Sequence, residues 1–423
     1  VKFTVFQSDK GDCLLLTGND GTHVLVDGGM GHAFRRHVAP ALAALREAGH
    51  RLDLVYVSHI DEDHISGVLQ LMNDLVAWRV HDHQVGHDNP SHPQPQVPRP
   101  PDVAGIWHNA FHEARSRNKG AIADMLAATA GILSGSDDPR LRRDAARRRD
   151  LAQSEKQAHQ LSRRIGARQL NIPLNAPWGH KLAMVRDGDA AVAVGGLEVF
   201  VLAPFEADLK VLRTRWNAWL KKSAAALAEI RRQARETERL LGNEVDGLLL
   251  PLLWEAGELG RRKDVTPPNL ASLMLLVREN GRTALLTGDG HADEVRAGLD
   301  RHQLRGGGRL HVDVLKVQHH GAAANMDEDF AQHITADHYV FCGNGSDENP
   351  ELEVVELIAQ SRLTDGTQRP FTMWFNSSPA AATTDERRDH MQSVVDLVED
   401  MKQGAQGRLR SFFLEDSAFE LQV

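Results

Sequence analysis

His59-Ile60-Asp61-Glu62-Asp63-His64 gathers four side chains suited to metal ligation, His59, Asp61, Asp63 and His64, into one short stretch. Two imidazoles and two carboxylates are borderline to hard donors, fit for Zn, Mn or Fe. Aspartate and glutamate also favour a helix N-terminus, which accounts for the acids but not for a histidine at each end. The apolar run Leu54-Val55-Tyr56-Val57 before the stretch reads as a buried strand, and Ile65 to Met72 after it reads as the start of a helix. The donors therefore sit on a tight strand-to-helix loop. Two later segments repeat the pattern: Thr283 to Asp289 is an apolar strand ending in a carboxylate, and Val312 to Gly321 is one ending in His319 and His320. Three strands that each deliver a ligand at the C-terminal end can converge on one sheet edge. Asp61, Asp63 and Asp289 brought together would repel and raise one another's pKa. Two divalent cations would neutralise them and leave charge for a bound hydroxide.

With these residues the chain resembles the metallo-β-lactamase superfamily, and within it the soluble hydrolase domain of ComEC-type competence proteins. That group carries a His-x-Asp-x-Asp-His loop where most of the superfamily has His-x-His-x-Asp-His. Gly11-Asp12 and Val24 to Gly29 resemble the family's opening strands and Asp-Gly-Gly turn. Asn269 to Leu276, Leu285 to Asp289 and Leu315 to Gly321 resemble, in order, its Asn-x-x-Ser-Leu, Leu-Leu-Thr-Gly-Asp and Leu-Lys-Val-x-His-His-Gly segments. The matches span roughly residues 1–85, 180–205 and 265–360. The resemblance implies an αββα four-layer sandwich of the α/β class and a site for two divalent metal ions, Zn or Mn, with Fe as a third choice. By position, Asp63, His64 and His320 would bind one metal, His59 and Asp61 the other, and Asp289 both. Asp63 and Asp289 are the residues on which catalysis would depend. Departures are Asn349 in place of a late-loop histidine, and the lack of a Gly-His-Thr ligand before Asp289, where Asn269 stands. The His59–Asp61 metal thus has no assigned third protein ligand.

Other residues are possible metal or substrate contacts. His319 is the alternative to His320; side chains alternate along a strand, and His320, next to Gly321, is favoured. Lys316 would share the face of His320, either on an anionic substrate or as a rim charge. His108 and His112 lie four apart and would share one face of a helix. His81, His83, His87 and His92 lead into a proline-rich stretch ending near Asp102, which reads as an extended loop.

The 423 residues, 41% apolar and 25% charged, fit one large metallo-β-lactamase-fold domain over 1–423. Two Ala- and Arg-rich or otherwise helical segments, about 103–170 and 205–262, read as insertions, and about 365–423 as a C-terminal extension. The extension has strand composition at Phe371 to Phe375 and at Phe412 to Leu414, with a helix between. The longest apolar run, Leu248 to Trp254, is too short to span a bilayer, so no membrane insertion is expected. Val1 to Phe6 reads as a strand and not as a signal peptide. Two cysteines, Cys13 and Cys342, in no CxxC pattern fit a reducing cytoplasm.

A net charge of −9 argues against wholesale capture of nucleic acid, but nine arginines from Arg140 to Arg168 could guide a phosphate backbone or simply face solvent. The expected activity is metal-dependent hydrolysis, first of a phosphodiester in DNA or RNA. A small-molecule ester, lactone or nucleotide is the second reading. A metal-binding partner subunit of a multi-protein system, defence among them, is the third, with the insertions as a homodimer or partner surface. No Ser-His-Asp set or phosphate-cradling glycine loop stands out.

Overall fold

The computed structural model describes residues 1–87, 89–109, 157–158, 160–186, 188–206 and 272–423. Among these, two sheets stack face to face. The first has the order β14 (Ala418–Gln422), β1 (Lys2–Phe6), β2 (Leu14–Thr17), β3 (His23–Val26), β4 (Leu54–Val57), β5 (Ile106–His108). The second has the order β13 (Leu409–Phe413), β12 (Phe371–Phe375), β11 (Ile334–Phe341), β10 (Leu310–Lys316), β9 (Arg282–Leu286), β8 (Met274–Glu279), β7 (Leu197–Ala203), β6 (Val192–Val194). The run from β9 to β13 is parallel, as are β3, β4 and β5; the other pairings are antiparallel.

Alternation along the strands builds the layers. Leu14, Leu16, Val24, Val26, Leu54 and Tyr56 meet Leu275, Val277, Ala284 and Leu286 between the sheets. The residues between them, Leu15, Leu25, Val55 and Val57, turn outward to Phe34, Val38 and Leu42 and to Ile65, Val68 and Met72. Leu42 belongs to α1 (Ala39–Glu47) and the last three to α2 (Glu62–Gly86). Across the molecule Met274, Leu276 and Leu285 face a second helical layer. It consists of α3 (Ala292–Arg301), α4 (Glu328–His333), α5 (Leu352–Thr364) and α6 (Asp385–Gly404). A strand buried on both faces reads as a continuous apolar run, and that is why Leu54 to Val57 and Thr283 to Leu286 carry few polar residues. The αββα four-layer sandwich is the fold of this chain.

Two local readings are corrected. His81 and His83 lie inside α2, which continues to Gly86 because the first proline comes only at Pro90. His108 is not on a helix: Ile106, Trp107 and His108 form β5, with Trp107 in the inter-sheet core and its ring 4.8 Å from that of Trp178. The tail from residue 365 supplies β12 and β13 to one sheet and β14 to the other. His112 and Asn269, and most of the two expected helical insertions, lie outside the described residues.

Candidate metal centre

The site lies where the two sheets meet, at the C-terminal ends of β4, β9 and β10. Strand β4 ends at Val57, and the chain turns through Ser58 and His59 into α2. Asp61 is the N-cap of α2, yet its carboxylate accepts no capping hydrogen bond. An aspartate here would ordinarily accept from the first-turn N–H groups. Instead its Oδ2 turns to His59 Nε2, 3.5 Å away. Asp289 follows β9 on the turn that begins at Thr287, and His319 and His320 follow β10.

Four imidazoles point Nε2 at Asp289. His64 is 3.3 Å from its Oδ1; His59, His319 and His320 are 3.5, 3.4 and 3.6 Å from its Oδ2. His320 Nε2 is also 3.4 Å from Asp63 Oδ2 and 3.4 Å from His64 Nε2. The structure thus brings His59, Asp61, Asp63, His64, Asp289, His319 and His320 together. The choice between the two adjacent histidines does not arise, because neither is in a strand. β10 ends at Lys316, and both residues have left-handed backbone, φ 45° and 58°. His108 is buried at the end of β5, opposite Val57, with its backbone clasped by Asn175.

Two carboxylates missing from the expected ligand set orient the rings from behind. Asp27 Oδ2 lies 3.0 Å from His64 Nδ1 and accepts from Ser58 Oγ at 2.7 Å, while Asp27 Oδ1 accepts from the Ser58 N–H. Asp12 Oδ1 lies 3.0 Å from His320 Nδ1. Carboxylates in this position fix a ligand's tautomer and raise its basicity. Asp12, His64, Asp289 and His320 each offer a donor atom within 4.8 Å of the others, a group that could hold a metal ion. Because Asp12 faces the Nδ1 edge of His320 and the other donors face the Nε2 edges, its place is behind the ring. Asp12 precedes β2 and Asp27 follows β3. Only their places in the Gly11-Asp12 and Asp-Gly-Gly segments hinted at them, without a role.

Lys316 is not at a rim. It is fully buried, its ammonium ion-paired with Asp12, donating to Gly288 O at 3.1 Å and lying 3.8 Å from Asp289 Oδ1. For Asp63 and Asp289 the expected upward shift is reversed. Burial alone would raise Asp289, but His64, His319, His320 and His59 hold it well below the carboxylate range. Asp63 is likewise lowered against burial, by the hydrogen bond to His320 and the charge of His64. Asp12 falls to about 2, burial being outweighed by Lys316 and His320. Conversely, burial would lower His64 and His320, but the surrounding aspartates raise His64 well above the usual range and His320 to about 9.

The donors fit a cation. His59 Nε2 and Asp289 Oδ1 are buried and make no hydrogen bond, although buried polar groups are nearly always satisfied. A metal ion would use both. The fold and site define an αββα protein with a mixed histidine and aspartate centre at the seam of its sheets. A profile of the metallo-beta-lactamase superfamily matches residues 9–129, spanning Asp12, Asp27 and the His59 to His64 loop. No curated protein matches the chain.

Proposed function

We propose that the chain is a metal-dependent phosphodiesterase, of nuclease type, working with two divalent ions, Zn or Mn. The observation that carries this reading is the convergence of four imidazole Nε2 atoms on one carboxylate, with buried His59 Nε2 and Asp289 Oδ1 left without hydrogen bonds. His59, Asp61, Asp63, His64, Asp289 and His320 would hold the ions. Bound divalent metal supplies a water nucleophile near neutral pH and positive charge for an attacked ester and its leaving oxygen.

The chain's own residues prepare that site. Asp27 and Asp12 lock the rings of His64 and His320. Lys316 keeps Asp12 ionised. Other nucleophiles are disarmed: Ser58 Oγ donates to Asp27, and burial pushes the Cys13 and Cys342 thiols far up. Asp61 in place of an imidazole makes the donor set richer in oxygen, which favours harder ions such as Mn and phosphoryl ligands. Two-metal sites of this kind serve in-line displacement at phosphorus.

The test is hydrolysis of bis-p-nitrophenyl phosphate and of single- and double-stranded DNA and RNA after loading with Mn or Zn. Asp63→Ala and Asp289→Asn serve as controls whose circular dichroism should match the parent. Cleavage lost in both variants supports the reading. Turnover of p-nitrophenyl acetate with no phosphodiester cleavage would move the assignment to a small-molecule esterase, and metal binding without any turnover would move it to a binding subunit.

A further inference from the structure

His319 stands apart from the ligand set just given. In a strand, neighbouring side chains face opposite ways. Here the left-handed backbone at His319 and His320 sends both imidazoles to the same oxygen, Asp289 Oδ2, at 3.4 and 3.6 Å. The two rings stand at 66° to each other with centroids 5.7 Å apart, so they are not stacked and each presents its own Nε2 to that oxygen. His320 is engaged with His64 and Asp63. Among the described residues, the carboxylates within 4 Å of His59 Nε2 are those of Asp61 and Asp289. A catalytic zinc-type site ordinarily has three protein ligands and one open position.

His319 is also held as a ligand would be. Its Nδ1 lies 2.7 Å from Asn325 Oδ1. Asn325 is buried, and its Nδ2 donates to Asp289 O at 2.8 Å and Gly290 O at 3.3 Å. The His319 N–H donates to Gly288 O. One amide thus ties the outer nitrogen of His319 to the turn that carries Asp289, and Nε2 is left aimed inward. A third of the His319 side chain is exposed, which puts it on the open side of the centre.

We infer that His319 completes the His59–Asp61 half of a two-metal site and that Asp289 is shared with the Asp63–His64–His320 half. The inference rests on the metal-dependent reading above. Asn325 is a positioning residue in it.

The experiment is titration of the metal-free chain with Mn(II) and, separately, Zn(II), followed by calorimetry and by mass spectrometry of metal per chain. The parent should bind two equivalents and His319→Ala one. His319→Asn is the second variant, because asparagine tolerates a left-handed backbone, so an alanine chain that fails to fold does not end the test. Asn325→Ala should weaken that same equivalent by about 10–100-fold. Asn325→Asp, which keeps an acceptor for Nδ1 but loses the donor to Asp289 O and Gly290 O, should restore it only in part. Two equivalents of unchanged affinity in both His319 variants would overturn the role of His319 and leave the metal-dependent reading intact. A parent chain that binds no metal would overturn both.

Discussion

At the scale of single residues, Lys316 sets the tone of the site. A buried ammonium persists only when paired, and its partners Asp12 and Asp289 are themselves surrounded by imidazoles. Removing one member of such a pair leaves an uncompensated charge, so Lys316→Met should cost about 3–5 kcal/mol in the metal-free chain, measured by urea unfolding. Asp27→Ala should spare the fold more and weaken metal binding by about 10–100-fold, measured by competition with a chromophoric chelator. His320 carries a sign that can be worked out. Its folded pKa of about 9 stands above the ordinary 6.5, so in the metal-free chain its contribution to stability is complete below 6.5 and is lost as pH rises through 9. Metal needs the neutral ring. Metal affinity should therefore climb as pH rises through neutrality toward 9, and uptake at pH 7 should release protons, visible as a buffer-dependent calorimetric heat. The donor types were legible in the sequence because six of them fall at the ends of apolar strands. Asp12 and Asp27 were not assigned roles, since a lone acid has no spacing that separates an orienting carboxylate from a solvated one. The convergence of His319 and His320 on Asp289 depends on φ values that their residue types do not announce.

At the scale of elements, close backbone approach places the ligands. A Cβ on Gly67 of α2 would lie 1.9 Å from Gly28 O, and one on Gly11 would lie 1.6 Å from Asp63 O. The first two turns of α2 are thereby pressed against the loops after β3 and before β2, the loops that carry Asp27 and Asp12. Gly67→Ala must shift α2, at a cost of about 1–3 kcal/mol, and should weaken metal binding as well, because His64 and Asp63 ride on those turns. Thermal melts with and without Mn would separate the two effects. Strands β1 to β4 and the tail's β12 and β13 could be read from their apolar, β-branched and aromatic runs. Strand β5 could not, being three residues long, and β14 could not, because Ala418 to Gln422 alternates over a stretch too short to stand out. Strand β14 covers the edge of β1, with Phe419 and Leu421 in the inter-sheet core. A chain shortened to residue 416 should expose that edge and aggregate, as read by size-exclusion chromatography.

At the scale of the whole molecule, three apolar layers hold four layers of structure, and Leu285→Ala, between the second sheet and its helices, should cost about 2–5 kcal/mol. The layering was legible because doubly buried strands leave continuous apolar runs; most of the two expected insertions lies outside the described residues. Among the described residues no helix is long and apolar enough to cross a membrane. His59 and His64 follow strand β4 of the first sheet, and Asp289, His319 and His320 follow strands β9 and β10 of the second. A cation there is a rivet through two plates. Without it, the plates are joined by the oil of their shared core and should loosen at separate rates, so amide exchange would show two protection classes. With it, ligand binding to the native state alone adds stability by mass action, and the two classes should merge into one.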